Sequence, residues 1–245
     1  GATADAVLIP EPTDEEVTYA NSGVIKFRIS VQGVPAHPRE PESGLSAIEA
    51  AFLVINELKV LEARWNEEKT SHPGFDDLRN PASLNIGTIN GGSRHNIIPD
   101  EVVMTGTVRT FGDQVQQQVN ERIERTARGI AEAAGASAEV RIVDNYLTTT
   151  NHPTLTEQMV PTLQRAAHER VVVSPMVTGS EDFSYYANEA PGLFVFLGVT
   201  PMARMGKAAP NHAPGFIIDD AALLTGVRTL SMLASDYLQQ ARSAE

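Results

Sequence analysis

Cysteine is absent from the 245 residues, which excludes disulfides, thiolate metal sites and cysteine nucleophiles within the chain. Any metal must therefore sit on His, Asp or Glu. Positive charge is scarce: 19 basic residues stand against 31 acidic ones, a formal net charge of -12. A surface of that sign repels nucleic acid and anionic membranes, so small-molecule or protein partners are expected. No apolar run approaches the ~18 residues that a bilayer span requires, and residues 1–5 are neither basic nor followed by a signal-like apolar core. The expected address is the cytoplasm.

With 42% hydrophobic residues the chain can bury a substantial core. Residues 5–9 read as a buried strand very near the first position, an unusual place for a domain to begin. Over residues 24–31, Ile25, Phe27, Ile29 and Val31 alternate with Lys26, Arg28 and Ser30, the period-two pattern of a strand with one wet face. A helix is expected over residues 44–69, with Leu45, Ile48, Phe52, Ile55, Leu58, Leu61 and Trp65 as its apolar stripe, Pro41 ahead of it and Pro73 beyond. Strands over 83–89 and 101–110 flank the turn-rich Asn90-Gly91-Gly92-Ser93. A helix from Asp113 to about Ala134, stopped by Gly135, leads to a strand over 138–143.

This β-α-β-β-α-β order is that of a ferredoxin-like unit, with two helices on one face of an antiparallel sheet. Beyond it come a helix over 154–170, a strand over 171–173, a strand over 193–199 and a final helix over 220–241. Joined to the first strand, these make part of a parallel α/β sheet. The expected organisation is an α/β domain of residues 1–20 and 147–245, interrupted by an inserted domain of residues 21–146.

Candidate chemistry sits in the loops. Glu11 is expected just past its strand, where open α/β sheets place ligands; on residue type alone it reads more readily as a solvated loop carboxylate. His212, in a loop stiffened by Pro210 and Pro214, is either a metal ligand or a surface imidazole. Gly179 and Ser180 open Gly-Ser-Glu-Asp-Phe and present backbone N–H groups to a carboxylate or oxyanion, unless Ser180 simply caps a helix. His37, Asn96 and Arg109 are each weak on their own: a surface imidazole, a turn residue and an ion-pair partner account for them as well.

Taken together, Glu11-Pro12, Gly33 with Ala36-His37, Gly91-Gly92 with Asn96-x-Ile98-Pro99, Gly106-Thr107-Val108-Arg109, Gly179-Ser180-Glu181-Asp182-Phe183 and Asn211-His212-x-Pro214 form an ordered set. That set resembles the co-catalytic zinc amidohydrolases and metallopeptidases: aminoacylase, acetylornithine deacetylase, succinyl-diaminopimelate desuccinylase and hippurate hydrolase. The resemblance implies a zinc-peptidase-like α/β catalytic domain with an inserted lid that also forms a homodimer. It implies hydrolysis of the amide bond of N-acyl amino acids or small peptides with two zinc ions per complete subunit, cobalt or manganese being alternatives.

By the same resemblance, Glu11 ligates one metal and His212 the other. His37 reaches the partner's site to polarise the scissile carbonyl, and Asn96, Arg109, Gly179 and Ser180 hold the substrate carboxylate. The family's upstream His-x-Asp, bridging Asp and Glu-Glu pair have no counterpart here, because no histidine is followed by x-Asp and Glu15-Glu16 and Glu67-Glu68 stand elsewhere. The expectation is a partial catalytic domain, inactive by itself. A non-catalytic carboxylate-binding or dimerisation module is the alternative. The motifs divide between the deacetylase and hippurate-hydrolase branches, so the acyl group stays open.

Overall fold

The computed structural model describes residues 4–13, 17–18, 20–67, 82–168, 170–174, 177, 179–204, 207–209 and 211–244. The chain divides into two compact units, one of residues 1–21 and 149–245 and one of residues 22–148. In chain order the first unit contributes β1 (Val7–Thr13), β2 (Val17–Thr18) and β3 (Ala20–Asn21). The second follows with β4 (Gly23–Gln32), α1 (Ala47–Glu67), β5 (Ala82–Gly91), β6 (Glu101–Thr110), α2 (Asp113–Ala133) and β7 (Ser137–Tyr146). The first resumes with β8 (Thr149–Thr150), α3 (Pro153–Ala166), β9 (Val173–Ser174), α4 (Phe183–Ala187), β10 (Gly192–Gly198) and α5 (Asp220–Ala244).

In the inserted unit the four strands pair antiparallel in the order β5-β6-β4-β7. The alternation in β4 puts Ile25, Phe27, Ile29 and Val31 on one face, each 0–1% exposed. They join Met104 and Val108 of β6, Val54 and Leu58 of α1 and Ile123 of α2 in one core, so both helices cover the same face. Gly106 lets Phe27 fill that face: a Cβ there would lie 2.5 Å from Phe27 Cζ and 2.2 Å from the Asn85 carbonyl oxygen.

The buried stripe of α1 differs from the expected one. Ala47, Ala50, Ala51, Val54, Leu58 and Trp65 face the core, whereas Ile48 and Phe52 are 47% and 66% exposed. Small alanines bring the helix close to the sheet and rotate the larger apolar residues outward. The expected end of this helix at residue 69, and Pro73 beyond it, lie outside the described residues.

In the other unit β1 runs parallel to β10, with Glu11 opposite Phe196. Two-residue ladders join β2 to β9 and β3 to β8. Leu155, Met159 and Leu163 of α3, Leu193 and Val195 of β10 and Leu233 of α5 form its core. The far edge of β10 is closed by a side chain: Asn151 Nδ2 donates to the Phe194 carbonyl at 2.8 Å, and Phe194 N–H donates to Asn151 Oδ1 at 2.6 Å. His152 N–H continues this edge by donating to the Gly192 carbonyl at 2.9 Å. The strand expected over 171–173 lies at Val173–Ser174 instead, and α3 ends at Ala166, four residues early. Among the described residues no helix is long and apolar enough to cross a membrane.

Candidate functional site

Glu11 lies inside β1, two residues before its end, rather than in a loop beyond it. Pro10 and Pro12 flank Glu11 within this strand. Being two apart, they lack N–H groups on the same side of the strand, which leaves the other side free to pair with β10. The Glu11 carboxylate is partly buried, and Asn211 Nδ2 donates to its Oε1 at 3.1 Å across 200 residues of sequence. The next residue, His212, donates its backbone N–H to Asn211 Oδ1 at 3.1 Å. Its φ of +64° is left-handed, a conformation that costs a side-chain-bearing residue about 1–2 kcal/mol. Asn211 thus ties the His212 loop to the Glu11 strand.

Glu181 belongs to the same neighbourhood. Its carboxyl is pushed up to about 7, first by burial and then by repulsion from Glu11 and Asp182. Gly179 and Ser180 are partly buried just ahead of it. Helix α4 starts only at Phe183, with Asp182 in the capping position, so Ser180 is not its cap. Asn211 and Glu181 were not among the candidates chosen from sequence. Each stands beside one that was, His212 and Ser180, and that adjacency was the available signal.

The remaining candidates lie in the inserted unit. Gly33 starts the loop that carries His37: its N–H donates to the Asp100 carbonyl at 2.8 Å, and a Cβ on it would come within 2.2 Å of the Leu45 carbonyl oxygen. His37 is exposed, and its Nδ1 accepts from Arg39 N–H at 3.1 Å. In the neutral ring that contact leaves the proton on Nε2, as a donor. Asn96 is exposed on the facing segment, which Ile98 N–H ties to the Ala36 carbonyl at 2.9 Å. His37 and Asn96 therefore share one end of the sheet. Arg109 sits at the other end of β6, paired with Val24 and Ser83. Eight residues separate it from Glu101, roughly 26 Å at about 3.3 Å per residue. Asn96 and Arg109, which the resemblance groups at one substrate carboxylate, thus lie toward opposite ends of the sheet.

A carboxylate and an imidazole are suitable donor types for zinc or a similar cation. Their number is insufficient: among the described residues no three His, Cys, Asp or Glu side chains gather to hold a metal. The described residues do not by themselves make a complete metal site.

Residues 19–144 match the family model described as a peptidase dimerisation domain, just over half of the chain. The chain belongs to the M20 peptidase family. It is 31% identical over 212 residues to thermostable carboxypeptidase 1 of Saccharolobus solfataricus, covering 86% of this chain and 51% of that protein. It is 31% identical over 203 residues to N-acetyl-L-cysteine deacetylase of Bacillus subtilis, covering 83% and 45%. Among solved structures, a dinuclear metal-binding M20 peptidase from Bacillus subtilis superposes with a TM-score of 0.68 at 25% identity, over 96% of this chain and 54% of that one. The chain spans about half the length of these M20 relatives.

Proposed function

We propose that this chain is part of a metal-dependent amidohydrolase that cleaves the amide bond of N-acyl amino acids or small peptides. The observation that carries the reading is the meeting of Glu11 with the Asn211-His212 loop. A carboxylate and an imidazole, tied together from distant parts of the chain, offer the two donor types that a zinc, cobalt or manganese ion takes. In this reading Glu11 ligates one ion and His212 the other, and Asn211 ties their two segments together. Gly179 and Ser180 meet the substrate carboxylate, and Arg109 pairs with it.

His37 is assigned the polarising role, because a neutral imidazole with its proton on Nε2 can donate to a carbonyl oxygen as negative charge develops there. Asn96 is grouped with His37. Since these two and Arg109 occupy opposite ends of one sheet, a single small substrate can meet all three only when two copies contribute. That favours a homodimer through the inserted unit.

The 245-residue chain alone is proposed to be inactive, because one donor to each ion does not complete a four-coordinate metal and no three donor side chains gather among the described residues. The test is turnover of N-acetyl amino acids and hippurate by the purified chain of verified intact mass, with added zinc, cobalt or manganese. No metal-dependent turnover is expected. A rate of ~1 per second or faster would show that the donor set has been misread. A carboxylate-binding module without turnover is the second reading. It gains support if N-acyl amino acids bind without metal and binding falls on Arg109→Ala.

A further inference from the structure

The unit of residues 1–21 and 149–245 holds a cavity of about 160 Å³ between the end of α3, the end of β10 and the start of α5. Leu163 and Ala167, Val171 just beyond α3, and Val195 and Leu197 of β10 make its walls largely apolar. It stays open because α5 turns small residues toward it, Ala221, Ala222 and Gly226. Pro10 of β1 also lines it. Side chains alternate along a strand, so the next residue, Glu11, projects to the opposite face, where the rings of Phe183, Phe194 and Phe196 pack on one another. The cavity is therefore separate from the contact between Glu11 and Asn211.

Two charged residues line the cavity, Arg170 and Asp219, and they are of opposite sign. Arg170 follows α3, its N–H donating to the Ala167 carbonyl at 3.1 Å, and Asp219 precedes α5, its N–H donating to the Val199 carbonyl at 2.7 Å. Asp219 Oδ1 accepts from Ala221 N–H at 3.0 Å, as a helix cap does, which leaves Oδ2 for another donor. The two do not pair with each other, and among the described residues Arg170 has no carboxylate partner. Two residues before Arg170, His168 accepts at its Nε2 from Arg228 of α5. This side of the rim is thus basic in a chain of formal net charge -12. Thr200, Thr225 and Thr229 add hydroxyls to the lining.

We infer that this cavity binds a free α-amino acid with an apolar side chain, its carboxylate on Arg170, its ammonium on Asp219 and its side chain between β10 and α5. Apolar walls with a few placed polar groups are the usual build of a small-molecule site. The paired charges select a zwitterion, because a simple carboxylate would face Asp219 unbalanced and a simple amine would face Arg170. Volume sets the side chain. An apolar cavity of about 150 Å³ holds a benzene ring, so this one takes about six carbons, as in leucine, isoleucine or phenylalanine. The inference goes beyond the proposed hydrolysis and holds whether or not that reading does. Where both hold, the ligand is of the class that cleavage of an N-acyl amino acid releases.

The experiment is titration of the metal-free 245-residue chain with leucine, followed by amide chemical shifts. Saturable binding with a dissociation constant of ~1 mM is expected, shifting residues 195–200 and 219–226 and not 179–181 or 211–212. Arg170→Gln should weaken it roughly tenfold, and Ala222→Leu, which fills the cavity, should abolish it. Arg109→Ala, in the inserted unit, should leave it unchanged. Leucinamide and N-acetyl-leucine, each lacking one of the two charges, should bind at least about tenfold more weakly than leucine. This ligand series needs only the wild-type chain, so it decides the matter even if Ala222→Leu fails to fold. Absence of shifts at about 10 mM leucine, ten times the expected constant, would overturn the inference. Equal binding of N-acetyl-leucine would do the same, since the ammonium would then go unread. So would binding lost on Arg109→Ala and kept on Arg170→Gln, which would place the amino acid on the inserted unit.

Discussion

Replacing Asn151 with Ala removes two hydrogen bonds to the backbone of one residue, Phe194, at 2.6 and 2.8 Å. Asn151 is 6% exposed and Phe194 is 1% exposed, so neither bond is readily exchanged for one to bulk water. Each bond lost leaves a buried N–H or C=O unmade, at about 1–3 kcal/mol apiece. The total is about 2–6 kcal/mol, with Ala at the lower end if water enters the space and Leu at the upper end because it fills that space with methyl groups. Since the chain has two compact units, one global unfolding free energy would mix their contributions. The proper readout is local: amide hydrogen exchange of the β10 peptide. Its opening should become about 30-fold to roughly ten-thousand-fold more frequent, with β4 unaffected. Asn151→Asp should also be damaging, because it keeps the acceptor for Phe194 N–H but turns a carboxylate toward the Phe194 carbonyl. Exchange in β10 within twofold of wild type for both Ala and Leu would refute the assignment of Asn151 as the strand's edge partner.

Other outcomes follow from the same geometry. Gly33→Ala places a methyl 2.2 Å from the Leu45 carbonyl oxygen and 2.8 Å from Ala47 N, so it should cost about 2 kcal/mol or more and shift the His37 loop, read by thermal melting and exchange at residues 33–45. His212→Gly should melt higher than His212→Ala by about 1 kcal/mol, because only the glycine relieves the left-handed backbone; equal stabilities would show that φ of +64° carries no strain. In a catalytically complete polypeptide carrying these residues, His37→Ala should lower kcat by ~100-fold with little effect on KM. Arg109→Ala should chiefly raise KM for substrates with a free carboxylate, and an unchanged KM would remove Arg109 from substrate binding.

The inserted unit was the more legible part of the sequence. β4 announces itself by strict alternation, and the turn-rich Asn90-Gly91-Gly92-Ser93 marks the end of β5 ahead of β6, so the signals are local. The phase of α1 was not legible, because a reading of large apolar residues assigns alanines no weight. Yet it is Ala47, Ala50 and Ala51 that sit against the core, while Phe52 points outward. In the other unit the pairing that matters joins β1 to β10, some 185 residues away, and the ladders of β2, β3, β8 and β9 are two residues each, too short to show any period. Glu11 and His212 could be picked out by motif, but not the Asn211 bridge between them. The resemblance grouped Asn96 with Arg109, and only the register of β6 shows that they belong to opposite ends of one sheet.

The most direct test of the account is zinc binding by the purified chain in equilibrium dialysis at neutral pH, beside its Glu11→Ala, His212→Ala and Asn211→Ala variants. The expected result is weak, partial binding. It should be reduced in each of the first two variants and less so in the third, because in the proposed reading Glu11 and His212 each donate to a different ion and Asn211 only ties their segments together. Tight binding of two ions per chain, or binding indifferent to Glu11 and His212, would contradict the account.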